Sequence, residues 1–244
     1  KTNDTEDIQK FEEKLLQLTD IRLDHIHRFI RFWKKTSWTI PEFDWVLNSL
    51  KSAGLLNNFE EVDGNGYFRI LIVSELINIQ EALKFSTEEV CAMVDDLSQI
   101  PIYDGDKSFY ERIFDLEKIF GFAPTSTDDD VVFNTHATLF SNKSRNKITP
   151  LLLSGLGITE SELYSLLELL EVDTTTDQLI DRNLLSMLFR HTRIAKGLKL
   201  SIEDFLNAIK LKLNGDAISQ LSHIHDLIEF VYWQKSSPFN ISEI

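Results

Sequence analysis

Apolar residues recur every three or four positions along most of this chain, and the stripes they draw predict a succession of amphipathic helices. Over residues 5–18 the stripe is Ile8, Phe11, Leu15 and Leu18. Residues 23–35 carry two stripes, Leu23/Ile26/His27/Ile30 and His25/Phe29/Phe32, with Asp24, Arg28, Arg31 and Lys35 left polar. Two stripes predict burial on two sides, as for an inner helix of a stack. Residues 108–120 set Phe109, Ile113, Leu116 and Phe120 on one face, and helices resume at Thr149, with a long one over 178–196. Glu61-Val62-Asp63-Gly64-Asn65-Gly66-Tyr67 reads as a turn-rich connection. Residues 122–147, with Pro124 and Asp128-Asp129-Asp130, show no clear period and predict an extended loop or insertion.

The helix starts share one grammar. Trp38-Thr39-Ile40-Pro41-Glu42-Phe43 places a hydroxyl at the N-cap, a carboxylate three residues on, and apolar residues just outside and just inside. That is a capping box with a hydrophobic staple: Thr39 and Glu42 each satisfy an amide that the first helical turn leaves without a partner. The same arrangement recurs with Ser86 and Glu89, Thr159 and Glu162, Ser201 and Asp204, and Asn240 and Glu243. Average composition would produce about one such hexapeptide by chance, so five form a pattern. The caps at 159, 201 and 240 lie roughly forty residues apart, the length of a helix pair in stacked helical arrays.

Longer stretches also repeat. Leu23, His25, Ile26, His27, Ile30 and Phe32 reappear as Leu221, His223, Ile224, His225, Ile228 and Phe230. Ala82-Leu83-Lys84-Phe85-Ser86 parallels Gly197-Leu198-Lys199-Leu200-Ser201. The module is a helix, a short Leu-Lys turn and a capped helix. The expected fold is therefore all-α: a solenoid-like helical-repeat array of capped helix pairs, with one irregular insertion near 121–147. Residues 1–120 would form an N-terminal helical part and 148–244 a C-terminal one, in one continuous domain cut from a longer chain.

Three stretches resemble a known family. The pattern of Leu23–Asp44, including Arg28-Phe29-Ile30-Arg31-Phe32, Lys34-Lys35, Trp38 and Glu42-Phe43-Asp44, resembles the A subunits of toxin complexes, the insecticidal Tc toxins and virulence-plasmid A proteins. Ser108-Phe109-Tyr110-Glu111-Arg112-Ile113-Phe114 is similar to that family's SxYxRLF element. Leu188-Phe189-Arg190-His191 with Ile194–Phe205 is similar to its LxRxxxLARALxLSxxDL signature. Ser37 stands where the family usually has Gly, and Lys196-Gly197 where it has Arg-Ala. The resemblance implies a segment of the α-helical shell of a very large, pentameric, pore-forming and toxin-translocating A subunit. Its partners would be other parts of the same subunit and neighbouring subunits, in an assembly that is secreted or held at the bacterial surface.

Composition narrows the chemistry. Acids outnumber bases 39 to 25 for a net charge of −14, which argues against a nucleic-acid binder. Nine Gly and five Pro are few for an all-β chain of 244 residues. The single cysteine, Cys91, excludes an internal disulfide and a cysteine-ligated metal site. No apolar run approaches the roughly 18 residues of a membrane span, so no direct insertion by this segment is expected.

The pairs His25/His27 and His223/His225 invite a metal reading, but residues two apart on a helix point roughly 200° from one another and cannot share an ion. Core or helix-interface roles are expected for them; the functional alternative is a helix interface that loosens when these imidazoles protonate. Asp63-Gly64-Asn65-Gly66 opens like a calcium loop, but Tyr67 and Phe68 fall where an oxygen ligand and a glycine are needed. Trp33, Trp38 and Trp45 suit helix packing better than a carbohydrate platform. With no nucleophile elbow, phosphate-binding glycine loop or zinc-type spacing, the expectation is a non-enzymatic protein with no cofactor. The rival is an independent helical-repeat adaptor that binds a peptide or protein.

Overall fold

The computed structural model describes residues 18–56, 66–114, 142–174, 181–239 and 241. The protein is all-α. Among the described residues there are ten helices and no strand: α1 (Asp20–Trp33), α2 (Ile40–Ser52), α3 (Gly66–Leu83), α4 (Thr87–Cys91), α5 (Phe109–Ile113), α6 (Asn142–Leu156), α7 (Glu160–Leu169), α8 (Arg182–Leu198), α9 (Ile202–Leu213) and α10 (Leu221–Ser236).

Local chemistry sets the helix ends. Thr39, Ser86 and Thr159 head α2, α4 and α7, each accepting from the amide of Glu42, Glu89 or Glu162 while that glutamate accepts from the cap's own amide. Ser201 accepts from the Asp204 amide at the head of α9. Asn240 and Glu243 lie outside the described residues, as do the stripe of residues 5–17, most of the acidic turn 61–66 and Asp128–Asp130. Two helices stop in the same way: Lys84 and Lys199, at equivalent places in the repeated Leu-Lys turn, take left-handed backbone with φ of 57° and 60°.

One hydrophobic core runs from Trp38 to Val231. Helix α8 lies at its centre, burying nine residues between Leu185 and Leu198 and touching α3, α6, α7, α9 and α10. The stacking is not strictly sequential, because α3 packs against α8 and α10 as well as its chain neighbour α4. Close approach of α3 to α8 depends on Gly197. A Cβ there would meet Phe85 Cε1 at 2.9 Å and Leu83 Cβ at 3.0 Å. Gly197→Val is expected to destabilise by about 2 kcal/mol through overpacking, read from the urea midpoint.

One boundary and one expectation differ. Helix α6 begins at Asn142, within the C-terminal edge of the stretch near 121–147 expected to be irregular, of which 121–141 lies outside the described residues; Asn142-Lys143-Ser144-Arg145-Asn146-Lys147 contains no apolar residue, so its helical period cannot show in a hydrophobic pattern. The two His-Ile-His copies also differ in burial. Leu221, Ile224 and Ile228 are in the core, because α10 packs against α3, α8 and α9. Their counterparts Leu23 and Ile26 are 47% and 43% exposed, and α1 buries no residue completely. Among the described residues its aromatic side chains tie it to α2 and the turn before it: Phe29 and Phe32 sit 5.1 and 5.2 Å from the Phe43 ring, and Trp33 Nε1 donates to Trp38 O at 2.7 Å.

Candidate functional site

Among the described residues, a row of polar side chains lies where one face of α8 meets α4 and the turn after it. Arg182, Ser186, Arg190 and Arg193 follow at spacings of four, four and three, which places them in one row along the helix. They face a segment that needs donors. Helix α4 has only five residues and gives way to a turn at Ala92, so the carbonyls beyond it have no continuing helix to bond them.

Each member of the row holds part of α4 or of that turn. Arg190 donates from Nε to Ala92 O at 3.1 Å and from Nη2 to Asp95 O at 3.3 Å. Burial pushes its pKa down, against the opposing charges of Asp96 and Asp95. Ser186 Oγ accepts from the Leu97 amide at 2.8 Å and donates to Arg182 O at 2.6 Å, while Arg182 Nε lies 3.3 Å from Asp96 Oδ2. Arg193 donates from Nε and Nη2 to the two carboxylate oxygens of Glu89, at 2.5 and 3.1 Å, with its guanidinium 4.9 Å above the Phe85 ring. The same Glu89 carboxylate accepts from the Ser86 amide at 2.8 Å, so one side chain caps α4 and anchors it to α8. Arg193→Met, which keeps the stem but leaves Glu89 without its partner, is expected to lower stability by about 2 kcal/mol in urea unfolding.

A second set ties α8 to its neighbours in the chain. His191 is completely buried, and burial pushes its pKa down to about 4. Its Nε2 accepts from the Ile218 amide at 3.0 Å, which fixes the proton on Nδ1, and Nδ1 donates to Met187 O at 2.8 Å. Two lysines close helix ends from a distance. Lys196 Nζ donates to Leu156 O at the end of α6 at 2.5 Å, and Lys235 Nζ to Leu198 O at the end of α8 at 3.0 Å. Cations at helix C-termini satisfy free carbonyls and oppose the dipole.

The histidines singled out by the repeat sit elsewhere. His27 and His225 are exposed, His225 lying 3.2 Å from Glu229; His25 and His223 are half-buried, and His223 Nε2 meets Gln220 Nε2 at 2.8 Å. The structure does not bring the four into one buried interface. The buried imidazole is His191, whose only mark in the sequence is a polar residue on an otherwise apolar stripe with Leu188, Ile194 and Ala195. Ser108 and Glu111 form a further capping box that the six-residue pattern passes over, because Lys107 and Arg112 stand where it requires apolar residues.

Burial pushes the Cys91 thiol up to about 12, so it is not a thiolate near neutral pH. A cleft of about 420 Å³ opens beside the seam with Trp45, Glu88, Asp95 and Asp96 on its wall. Its acids are already engaged: Ser52 Oγ donates to Asp95 at 3.1 Å, Arg182 meets Asp96 and Arg112 meets Glu88. Trp38 and Trp33 serve packing, Trp38 Nε1 donating to Gln80 Oε1 at 2.7 Å. Among the described residues there is no group of three His, Cys, Asp or Glu suited to a metal ion, and no helix long and apolar enough to cross a membrane.

No protein family matches the sequence by its profile, and no curated protein matches it. Among solved structures, the cryo-EM structure of Morganella morganii TcdA4, a Tc toxin A subunit, matches 91% of this chain with a TM-score of 0.64 at 16% identity. The chain spans 9% of that chain's length. At such identity the likeness is one of fold.

Proposed function

We propose that the chain is a non-catalytic structural segment of the α-helical shell of a toxin-complex A subunit, where it forms stiff wall. The observation that carries this reading is the fold likeness, which extends over 91% of the chain. The chemistry of the seam supports it: Arg190, Arg193, His191 and Lys196 all reach elements remote in sequence and hold them, and none is left facing an open pocket as a reactive group. Its partners would be other parts of the same large subunit and neighbouring subunits, in a secreted or surface-held, pore-forming and toxin-translocating assembly. An acidic surface keeps a large assembly soluble.

The test is to purify the native protein from its source with an antibody against these 244 residues and measure its mass by electron microscopy and cross-linking. Cross-links from this segment into a large multimeric shell are the expected result. A free protein of about the chain's own 28.2 kDa would overturn the reading. In that case the adaptor reading takes its place, through the groove of about 590 Å³ between α7 and α9, with Glu162, Leu169, Glu203, Leu206 and Lys210 along it.

A further inference from the structure

The two copies of the internal repeat differ most where they face outward. With the copies aligned at His25/His223 and His27/His225, Arg28 falls opposite Asp226, Arg31 opposite Glu229, Lys34 opposite Tyr232 and Lys35 opposite Trp233. These positions share one side of the helix by the 100° step per residue. In α1 and the turn that ends it, all four are exposed cations. In α10 they are two acids and two aromatics: Asp226 is half-buried and Glu229 exposed, with Tyr232 60% and Trp233 54% exposed. Tyr and Trp are enriched at interfaces, where the ring packs and its polar atom stays near water.

The contrast is sharper against the charge of the whole chain. A protein of net charge −14 concentrates Arg22, Arg28, Arg31, Lys34 and Lys35 against only Asp20 and Asp24 over residues 20–35. Existing pairs on the two faces are weak competitors. Arg28 meets Asp24 at 2.6 Å with both side chains about half exposed, and Glu229 meets His225 at 3.2 Å on the open surface. Solvent-exposed pairs of this kind contribute little and exchange readily.

We infer that the outer face of α1 docks on the outer face of α10 of a second copy of this chain, cations against acids and over aromatic rings. Arg28 and Arg31 lie against Asp226 and Glu229, and Lys34 and Lys35 over Tyr232 and Trp233, where a ring face attracts a cation. The contact is heterologous: the copy at each end of a docked row keeps one free face, and the row runs on or closes into a ring according to the rotation between copies. It rests on the exposed faces alone and does not depend on the toxin-shell reading.

Sedimentation velocity on the 244-residue chain at low salt tests it, with far-UV circular dichroism confirming that each variant is folded. Mass is expected to rise above one copy over about 1–100 µM, the range of a small, mostly polar interface. Arg28→Glu with Arg31→Glu, and separately Asp226→Lys with Glu229→Lys, should each weaken association by about tenfold or more, by turning two attractions into repulsions. An equimolar mixture of the two double variants should recover association, since each retains the face the other has lost. Trp233→Ala should weaken association without changing the charge. A single copy at every concentration, association indifferent to the reversals, or a mixture no stronger than its components would each overturn the inference.

Discussion

Phe43→Ala is expected to lower the stability of the protein by about 3–5 kcal/mol and to release α1 from the rest of the fold. Phe43 is fully buried, with three aromatic rings on it: Phe29 at 5.1 Å, Phe32 at 5.2 Å edge-on and Trp38 stacked at 6.3 Å. Removing the ring leaves a cavity in the core and takes away the surface on which three aromatic rings pack, which puts the change among the costly large-to-small substitutions. The effect on α1 is separate and larger in proportion. That helix has no completely buried residue, and Phe29 and Phe32 are its principal apolar ties to α2. The urea midpoint measures the first effect. Amide exchange measures the second: protection over residues 23–33 should fall before that of α8, whereas equal loss in both would show that α1 does not depend on Phe43.

The all-α architecture is legible in the sequence because helix-period stripes and cap chemistry are local, readable within six to a dozen residues. Packing is not local, and the readings that failed are those that needed it. The Leu23/Ile26/Ile30 stripe looks as apolar as Leu221/Ile224/Ile228, yet only the second is fully buried, because α3, α8 and α9 all pack on α10. Residues 142–147 are helical without any apolar residue to show it. In the seam, Arg182, Ser186, Arg190 and Arg193 form a visible row in the sequence, but their partners lie about ninety to a hundred residues away, at Asp96, Leu97, Ala92 and Glu89. A polar row on a helix normally means a solvated face. Only the non-sequential packing of the fold turns this one inward, and the repeated histidine pairs drew attention to positions that the fold leaves near water.

His191 should make the protein lose stability on mild acidification. Its folded pKa of about 4 lies below the ordinary 6.5, chiefly because burial disfavours the charged ring, with the neighbouring Arg190 charge acting the same way against the hydrogen bond to Met187. Between those values the unfolded chain binds a proton that the folded protein does not, so stability is full above about pH 6.5 and falls as pH drops towards 4. A difference of about 2.5 units corresponds to about 3 kcal/mol across that window. Geometry gives the same sign: a proton on Nε2 would face the Ile218 N–H that now donates to it, setting donor against donor and loosening the connection between α9 and α10. His191→Gln can keep one donor and one acceptor without titrating. It should destabilise by about 1–2 kcal/mol at pH 7 and flatten the slope between pH 6.5 and 5. Glu42 and Glu111 add their own loss only at lower pH. Burial raises the Glu42 pKa, but the hydrogen bonds it accepts from Thr39 and Thr87 outweigh this; bonds from Ser108 act chiefly on Glu111, and both carboxyls are held below 4.5. Urea unfolding at pH 7, 6 and 5 therefore isolates the imidazole, and an equal slope in the parent and His191→Gln would remove His191 as its source.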